Sequence, residues 1–237
     1  MCKNGPKGAH RRTKQRKVTI CQDLVKRQDD ILGRVITGDE TWVYQYNPET
    51  KRQSAQWKTA NSPRPKKFHQ SKSRVKTMLL TFDIRGIVHY EIVPTGQTVN
   101  QVYYLEVLER LREKVRQKRP EFFANNSWIL HHDNAPPHTV LSVGEFLTTK
   151  QITVLEHPAY SPDLAPNDVF LFPKIKEILK GRHFDDTDDI SSNTTAALKA
   201  IPQNQLQNCF EGWTRHWHRF IASQGEYSEG DYGGIQQ

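Results

Sequence analysis

Residues 126–133 read NSWILHHD, a short apolar run without polar alternation, which fits a β-strand buried on both faces. ITVLEHP (152–158) repeats the pattern, and HTVLSVGEFLTTK (138–150) between them has helical spacing. A strand, a helical crossover and a second buried strand predict two parallel neighbours. Working backwards, VKTMLLTFD (75–83) and GIVHYEIV (86–93) form a hairpin turned at DIRG, with Gly86 closing the turn. RVITGDETWVYQY (34–46) is rich in β-branched and aromatic residues and reads as the first strand, with RQSAQW (52–57) as a further one.

Helices fill the spaces between. VTICQDLVKRQDDILGR (18–34) carries apolar residues at helical spacing, and TVNQVYYLEVLERLREKVRQKR (98–119) is a long amphipathic helix with Asn100 as N-cap. NDVFLFPKIKEILKGRHF (167–184) is a helix that Pro173 bends or restarts. The segment up to Phe220 is helical, with Trp213, Trp217 and Phe220 spaced for core packing. An antiparallel meander followed by parallel strands and helical crossovers makes an α/β protein with a mixed sheet flanked by helices. The ribonuclease-H-like fold has this order of elements.

The charge pattern points to a polyanion. The formal net charge is +8, yet residues 1–20 and 58–76 each hold seven Lys/Arg and no acid. Those two stretches supply +14, so the rest sums to −6. Such concentration is the electrostatic footprint of a nucleic-acid binder. Residues 1–17 read as a basic flexible arm, 18–223 as one catalytic domain carrying the 58–76 basic loop, and 224–237 as a loose tail. Three scattered cysteines exclude a disulfide framework and fit a reducing compartment. No apolar run is long enough for a membrane span and no signal-peptide pattern is present, so the expectation is a soluble protein with no membrane partner.

Three carboxylates fall where α/β sheets build sites, at strand ends and helix openings. Asp39 lies inside the first strand, Asp133 ends the strand NSWILHHD, and Asp168 begins the helix after SPDLAP. Strand alternation puts Asp39 on one face with Thr37 and Thr41, and Glu40 on the other, where it makes a structural contact. Carboxylates held together repel, and burial raises the cost of ionising them. A pair of divalent ions removes that penalty and activates an oxygen nucleophile at phosphorus. The histidines at 131, 132 and 138 lack a fourth ligand at zinc spacing.

TGDETW (37–42), HHDNAPPH (131–138) and YSPDLAPND (160–168) resemble the signature blocks of mariner-type DNA transposases, with 34 residues between the last two aspartates. PETKRQSAQW and DIRGIVHYEIVPTGQTVN also resemble that family, so the similarity runs from about Val18 to about Tyr227. The resemblance implies a ribonuclease-H-like domain in which Asp39, Asp133 and Asp168 bind two Mg²⁺ or Mn²⁺ ions. It implies DNA strand cleavage followed by transfer of the freed 3′ hydroxyl to double-stranded target DNA. Asn134 is then a supporting residue beside the metal ligands and His138 a DNA contact, while Pro136 stands where the family usually has Arg.

DNA contacts are further expected from Lys66, Lys67, Lys72, Arg74 and Lys76. The family carries two helix-turn-helix modules ahead of this domain, and no such motif precedes the first strand here. The expectation is a truncated or domesticated copy acting in the nucleus, as a homodimer or paired with a full-length transposase. The alternative is a non-catalytic DNA-binding relic or a dominant inhibitor of a full-length transposase. Replacing Lys66, Lys67, Lys72 and Arg74 with Gln should flatten the plot of log DNA affinity against log salt by about three to four units, since each neutralised phosphate contributes about 0.9. Filter binding between low and moderate salt measures this, and an unchanged slope moves the contacts elsewhere.

Overall fold

The computed structural model describes residues 7–44, 75–94, 96–159, 161–182 and 184–225. The strands are β1 (Val35–Tyr44), β2 (Val75–Asp83), β3 (Gly86–Ile92), β4 (Ile129–His131) and β5 (Thr153–Leu155). They lie in the order β3-β2-β1-β4-β5. β1/β2 and β2/β3 are antiparallel, while β1/β4 and β4/β5 are parallel. This is the expected ribonuclease-H-like mixed sheet. The turn between β2 and β3 falls at the expected place, with Gly86 at φ 146°.

Eight helices accompany the sheet in the described residues: α1 (Lys7–Lys26), α2 (Gln28–Ile31), α3 (Gln101–Lys118), α4 (Pro120–Ala124), α5 (Leu141–Thr149), α6 (Phe172–Leu179), α7 (Thr187–Lys199) and α8 (Gln203–Ala222). Strand alternation divides the core. Val35, Leu80, Phe82 and Ile129 face one side and pack with Cys21, Leu24, Phe172, Phe210 and Trp217 from α1, α6 and α8. Ile36, Val88 and Leu130 face the other side and pack with Leu108, Leu111, Phe122 and Val143 from α3, α4 and α5. Trp213, Trp217 and Phe220 are buried, as their spacing requires. Cys21 and Cys209 are buried free thiols.

Two expectations change and a third is narrowed. Residues 7–17 belong to α1 and are not a loose arm, because Ala, Arg, Lys and Gln are good helix formers and continue the apolar-spaced helix backwards. β5 is buried only at Leu155; Thr153 and Val154 are exposed because β5 is the edge of the sheet. Of the two alternatives at Pro173, bending or restarting the helix, restarting holds. A π-helical turn at Asn167–Leu171 comes first, and α6 restarts with Pro173 in its first turn. RQSAQW, the basic loop as far as residue 74, and the tail from 226 lie outside the described residues. No described helix is long and apolar enough to cross a membrane.

A buried ion pair and a half-buried one orient α3 and the hairpin. The Asp83 side chain is 2% exposed and takes Arg119 Nε and Nη2 at 2.6 and 2.8 Å, plus the Arg85 and Gly86 amides at 2.9 Å each. On β3, Glu91 accepts Arg110 Nε and Nη2 at 2.8 and 2.9 Å and Tyr103 Oη at 3.3 Å, tying the strand to α3. His89 Nε2 lies 3.2 Å from the same carboxylate. Burial works to raise the Glu91 pKa, but the bonds from His89 and Arg110 override it and bring it down to about 2.

A depressed carboxylate pKa stabilises the fold above the unfolded value and loses that contribution as pH falls through the folded one. Glu91→Gln is therefore expected to be less stable than wild type by about 1–3 kcal/mol at pH 7, the range for a charged hydrogen-bonding partner. The two proteins should converge as pH drops from about 4.5 towards 2. Urea unfolding at both ends of that window is the measurement, and a gap that persists in acid would contradict the assignment.

Candidate active site

β1 is the central strand, and its parallel partner is short. β4 pairs with β1 only over Val35–Thr37 and ends at His131. β1 runs on past that point, so Asp39 sits where one neighbour has stopped. The other neighbour, β2, still pairs, placing Leu80 opposite Asp39. Gly38 allows β1 and β2 to approach: a Cβ there would lie 2.7 Å from Thr81 Cγ2. Asp133 lies two residues beyond β4, in a loop fixed by Ala135 N donating to its Oδ1 at 3.0 Å. That loop closes through a 3-10 turn, Pro136–His138.

Asp168 is the second residue of the π turn, which packs against β1. Its neighbour Asn167 is fully buried and donates from Nδ2 to the Leu80 carbonyl at 3.2 Å. The residue paired with Asp39 is thus also the anchor for Asp168. Asn167 was missed by sequence reasoning, because periodicity cannot distinguish a buried amide from an exposed polar residue at a helix start.

The three acids sense one another. Burial is the main cause that pushes the Asp39 pKa up to about 8, followed by the charge of Asp168, with Glu40 and Asp133 adding to it. The Glu40 amide, donating to Asp39 Oδ1 at 2.7 Å, opposes the shift and loses. Asp168 is raised by burial and by Asp133, against Lys176. Asp133 is different: burial would raise it, but the bond from His138 and the Ala135 amide bring it below the usual carboxylate range.

His138 corrects an expectation. It was placed at the DNA surface, yet its side chain is 2% exposed and both ring nitrogens are committed. Nδ1 lies 2.7 Å from Asp133 Oδ1, and Nε2 lies 3.1 Å from Glu40 Oε1. Burial disfavours charge on this ring, but the two carboxylates outweigh burial and lift its pKa to about 9. The ring is therefore an imidazolium held between two acids. Its neighbours are neutral: burial and nearby histidines hold His131 well below its ordinary value, and burial above all brings His132 and His157 to about 4.

These neutral rings form packing contacts behind the acids. His131 Nδ1 is 2.9 Å from Thr37 Oγ1, its Nε2 is 3.1 Å from His157 Nδ1, and its ring lies 5.0 Å from that of Trp213. Asn134 Nδ2 donates to the His157 carbonyl at 2.6 Å, so it braces the loop that carries Asp133. Lys66, Lys67, Lys72 and Arg74 lie outside the described residues, and Lys76 lies in β2 without a described side chain.

The donor set fits a divalent cation. It consists of carboxylate oxygens, the choice of Mg²⁺ and Mn²⁺, and one of those acids cannot readily ionise at neutral pH without a counter-charge. Glu40, Asp133 and His138 also bring ligand atoms within 4.8 Å of one another, but there the imidazolium already supplies the positive charge.

A family model described as "Transposase (partial DDE domain)" matches residues 47–125. The Mariner Mos1 transposase of Drosophila mauritiana is 31% identical over 230 residues, which is 94% of this chain and 65% of that protein. The crystal structure of a pre-cleavage Mos1 transpososome superposes with TM-score 0.81 at 30% identity, covering 97% of this chain and 68% of that one. This chain belongs to the mariner transposase family. The structure of the Mos1 transposase catalytic domain and Raltegravir with Mg matches with TM-score 0.77 at 27% identity, over 96% of this chain and all of that one. Its counterpart with Mn matches equally. The mariner chain described here thus spans about two thirds of the Mos1 transposase and corresponds to a catalytic domain.

Asn167→Ala in this mariner domain is expected to lose the only described bond between the π turn and the β2 backbone. That should lower stability by about 0.5–1.5 kcal/mol, the net value of a buried hydrogen bond. Divalent-metal affinity should fall with it as Asp168 loses its anchor. Thermal melting and Mn²⁺ titration read the two effects separately.

Proposed function

We propose that this chain is the phosphodiester-cleaving and strand-transferring domain of a mariner transposase, acting on double-stranded DNA with two Mg²⁺ or Mn²⁺ ions. The observation that carries the reading is that Asp39, Asp133 and Asp168 lie close enough for their charges to act on one another, Asp168 and Asp133 both raising the Asp39 pKa and Asp133 raising that of Asp168. Bound there, the ions would lower the pKa of an attacking oxygen and neutralise charge at the leaving oxygen.

The protein's own part is to hold the ligands. Asp39 and Asp168 present carboxylates from β1 and the π turn. Asp133 presents the oxygen that His138 and Ala135 leave unbound. In cleavage, a water oxygen bonds to phosphorus and gives up a proton to solvent, while the P–O3′ bond breaks and the leaving oxygen takes up a proton from solvent to give a 3′ hydroxyl. In transfer, that hydroxyl attacks a phosphodiester of target DNA and displaces a second 3′ oxygen, so the number of phosphodiester bonds is conserved.

The basic stretches of the sequence supply charge for the DNA backbone. The similarity to a Mos1 transpososome supports transposon-type DNA and a second transposase copy as partners. DNA as substrate assigns the work to the nucleus.

The test is nicking of supercoiled plasmid with Mg²⁺ or Mn²⁺. Wild type should nick, and Asp133→Asn should reduce the rate by at least about 100-fold while its melting temperature holds, because outer contacts to a metal ligand already contribute 10–100-fold. DNA binding without nicking in either metal would overturn the enzymatic reading and leave a DNA-binding relic.

A further inference from the structure

We propose that Glu40 is a positioning residue for the Asp133 carboxylate, acting through His138. The inference rests on the metal-binding reading above and extends it to a residue outside the three aspartates.

The geometry begins with the alternation of β1. Adjacent residues of a strand point to opposite faces, so Asp39 and Glu40 cannot share a site directly. Asp39 faces the side of α6 and α8, with Asp168. Glu40 faces the side of α3, where His138 and Tyr104 lie. Glu40 Oε1 meets His138 Nε2 at 3.1 Å, and His138 Nδ1 meets Asp133 Oδ1 at 2.7 Å. The imidazole thus spans the two carboxylates and brings the Glu40 face back to the site.

Both bonds given to Asp133 fall on one oxygen. Ala135 N and His138 Nδ1 each contact Oδ1, and Oδ2 is left for a ligand. A carboxylate held by one oxygen presents the other in a fixed direction, as outer partners of metal ligands do.

The ring itself is clamped. Tyr104 of α3 stacks on His138 with centroids 3.9 Å apart and planes tilted 30°, while Tyr104 Oη lies 2.7 Å from His132 Nδ1. Pro136 and Pro137 restrict the turn that delivers His138. With its sides packed and Nδ1 held by Asp133, the remaining edge of the ring is Nε2, and among the described residues its partner there is Glu40. The Glu40 side chain is 20% exposed, so it is shielded yet touches no other described hydrogen-bonding side chain.

The cluster of Glu40, Asp133 and His138 works as a tether: each ring nitrogen lies at hydrogen-bond distance from a carboxylate oxygen, so both edges of the ring are engaged by the two acids. One dipeptide of β1 therefore serves two metal ligands: Asp39 is a ligand itself, and Glu40 aims another.

The experiment measures Mn²⁺ affinity of the intact chain without DNA, by electron paramagnetic resonance, for wild type, Glu40→Ala, Glu40→Gln and Asp133→Asn, with melting temperatures alongside. Glu40→Ala should weaken Mn²⁺ binding about 10–100-fold with a folded melting profile. Glu40→Gln should recover part of that loss, because its amide oxygen still accepts from Nε2. If Glu40→Ala binds Mn²⁺ as wild type while Asp133→Asn loses it, the positioning role is overturned and the metal site stands. If Asp133→Asn also binds as wild type, the metal reading itself fails. Equal losses in Ala and Gln variants, both with collapsed melting, would make Glu40 merely structural and overturn the proposal.

Discussion

Repulsion among three carboxylates is the constraint around which this structure is arranged. Left to themselves, Asp39, Asp133 and Asp168 would separate or take up protons. The fold prevents the first, and Asp39 shows the second in its pKa of about 8. Each acid is fixed by backbone from a different element: a central strand, a proline-braced loop and a π turn. The cost of holding them is met by packing on both faces of the sheet, where two apolar clusters lock the strands to the helices.

The electrostatics of the site are asymmetric for a structural reason. Asp133 has a cation beside it within the protein, the buried His138, whereas Asp39 and Asp168 have each other. A divalent ion would therefore gain most on the β1 and π-turn side and would meet a carboxylate already ionised on the other. Four histidines crowd this region, yet only the one flanked by two acids carries charge. The others are buried against Trp213, Tyr104 and one another, where desolvation decides.

Much of this was legible in the chain because the signals were local. The hairpin at DIRG, the Asn100 cap and the two apolar strands follow from turn chemistry, side-chain capping and unbroken apolar runs. Those elements in that order leave few topologies other than a mixed sheet. The three aspartates stood out by their settings: one inside a strand, one after a strand, one after a proline-rich turn. The bridge from Glu40 to Asp133 was not legible, because it runs through His138, 98 positions from Glu40, a ring whose burial no pattern reveals. For the same reason His138 looked like a surface contact and Asn167 like filler. The helix over residues 7–17 was hidden by its charge, which suggests solvent but is compatible with strong helix formers.

The π turn at Asn167–Leu171 has a bearing on how this chain tolerates length changes. Such a turn is an α-helix with one residue too many. Deleting Val169, the partly exposed residue between Asp168 and the buried Phe170, would let the backbone relax into ordinary helix running straight into α6, with the apolar face of α6 seated in the core. Asp168 would be swung by about 100° around the helix axis, since 3.6 residues complete a turn. The aim of one acid thus depends on the surplus residue. Shortening this segment would re-aim the third carboxylate and carry Asn167 away from the Leu80 carbonyl.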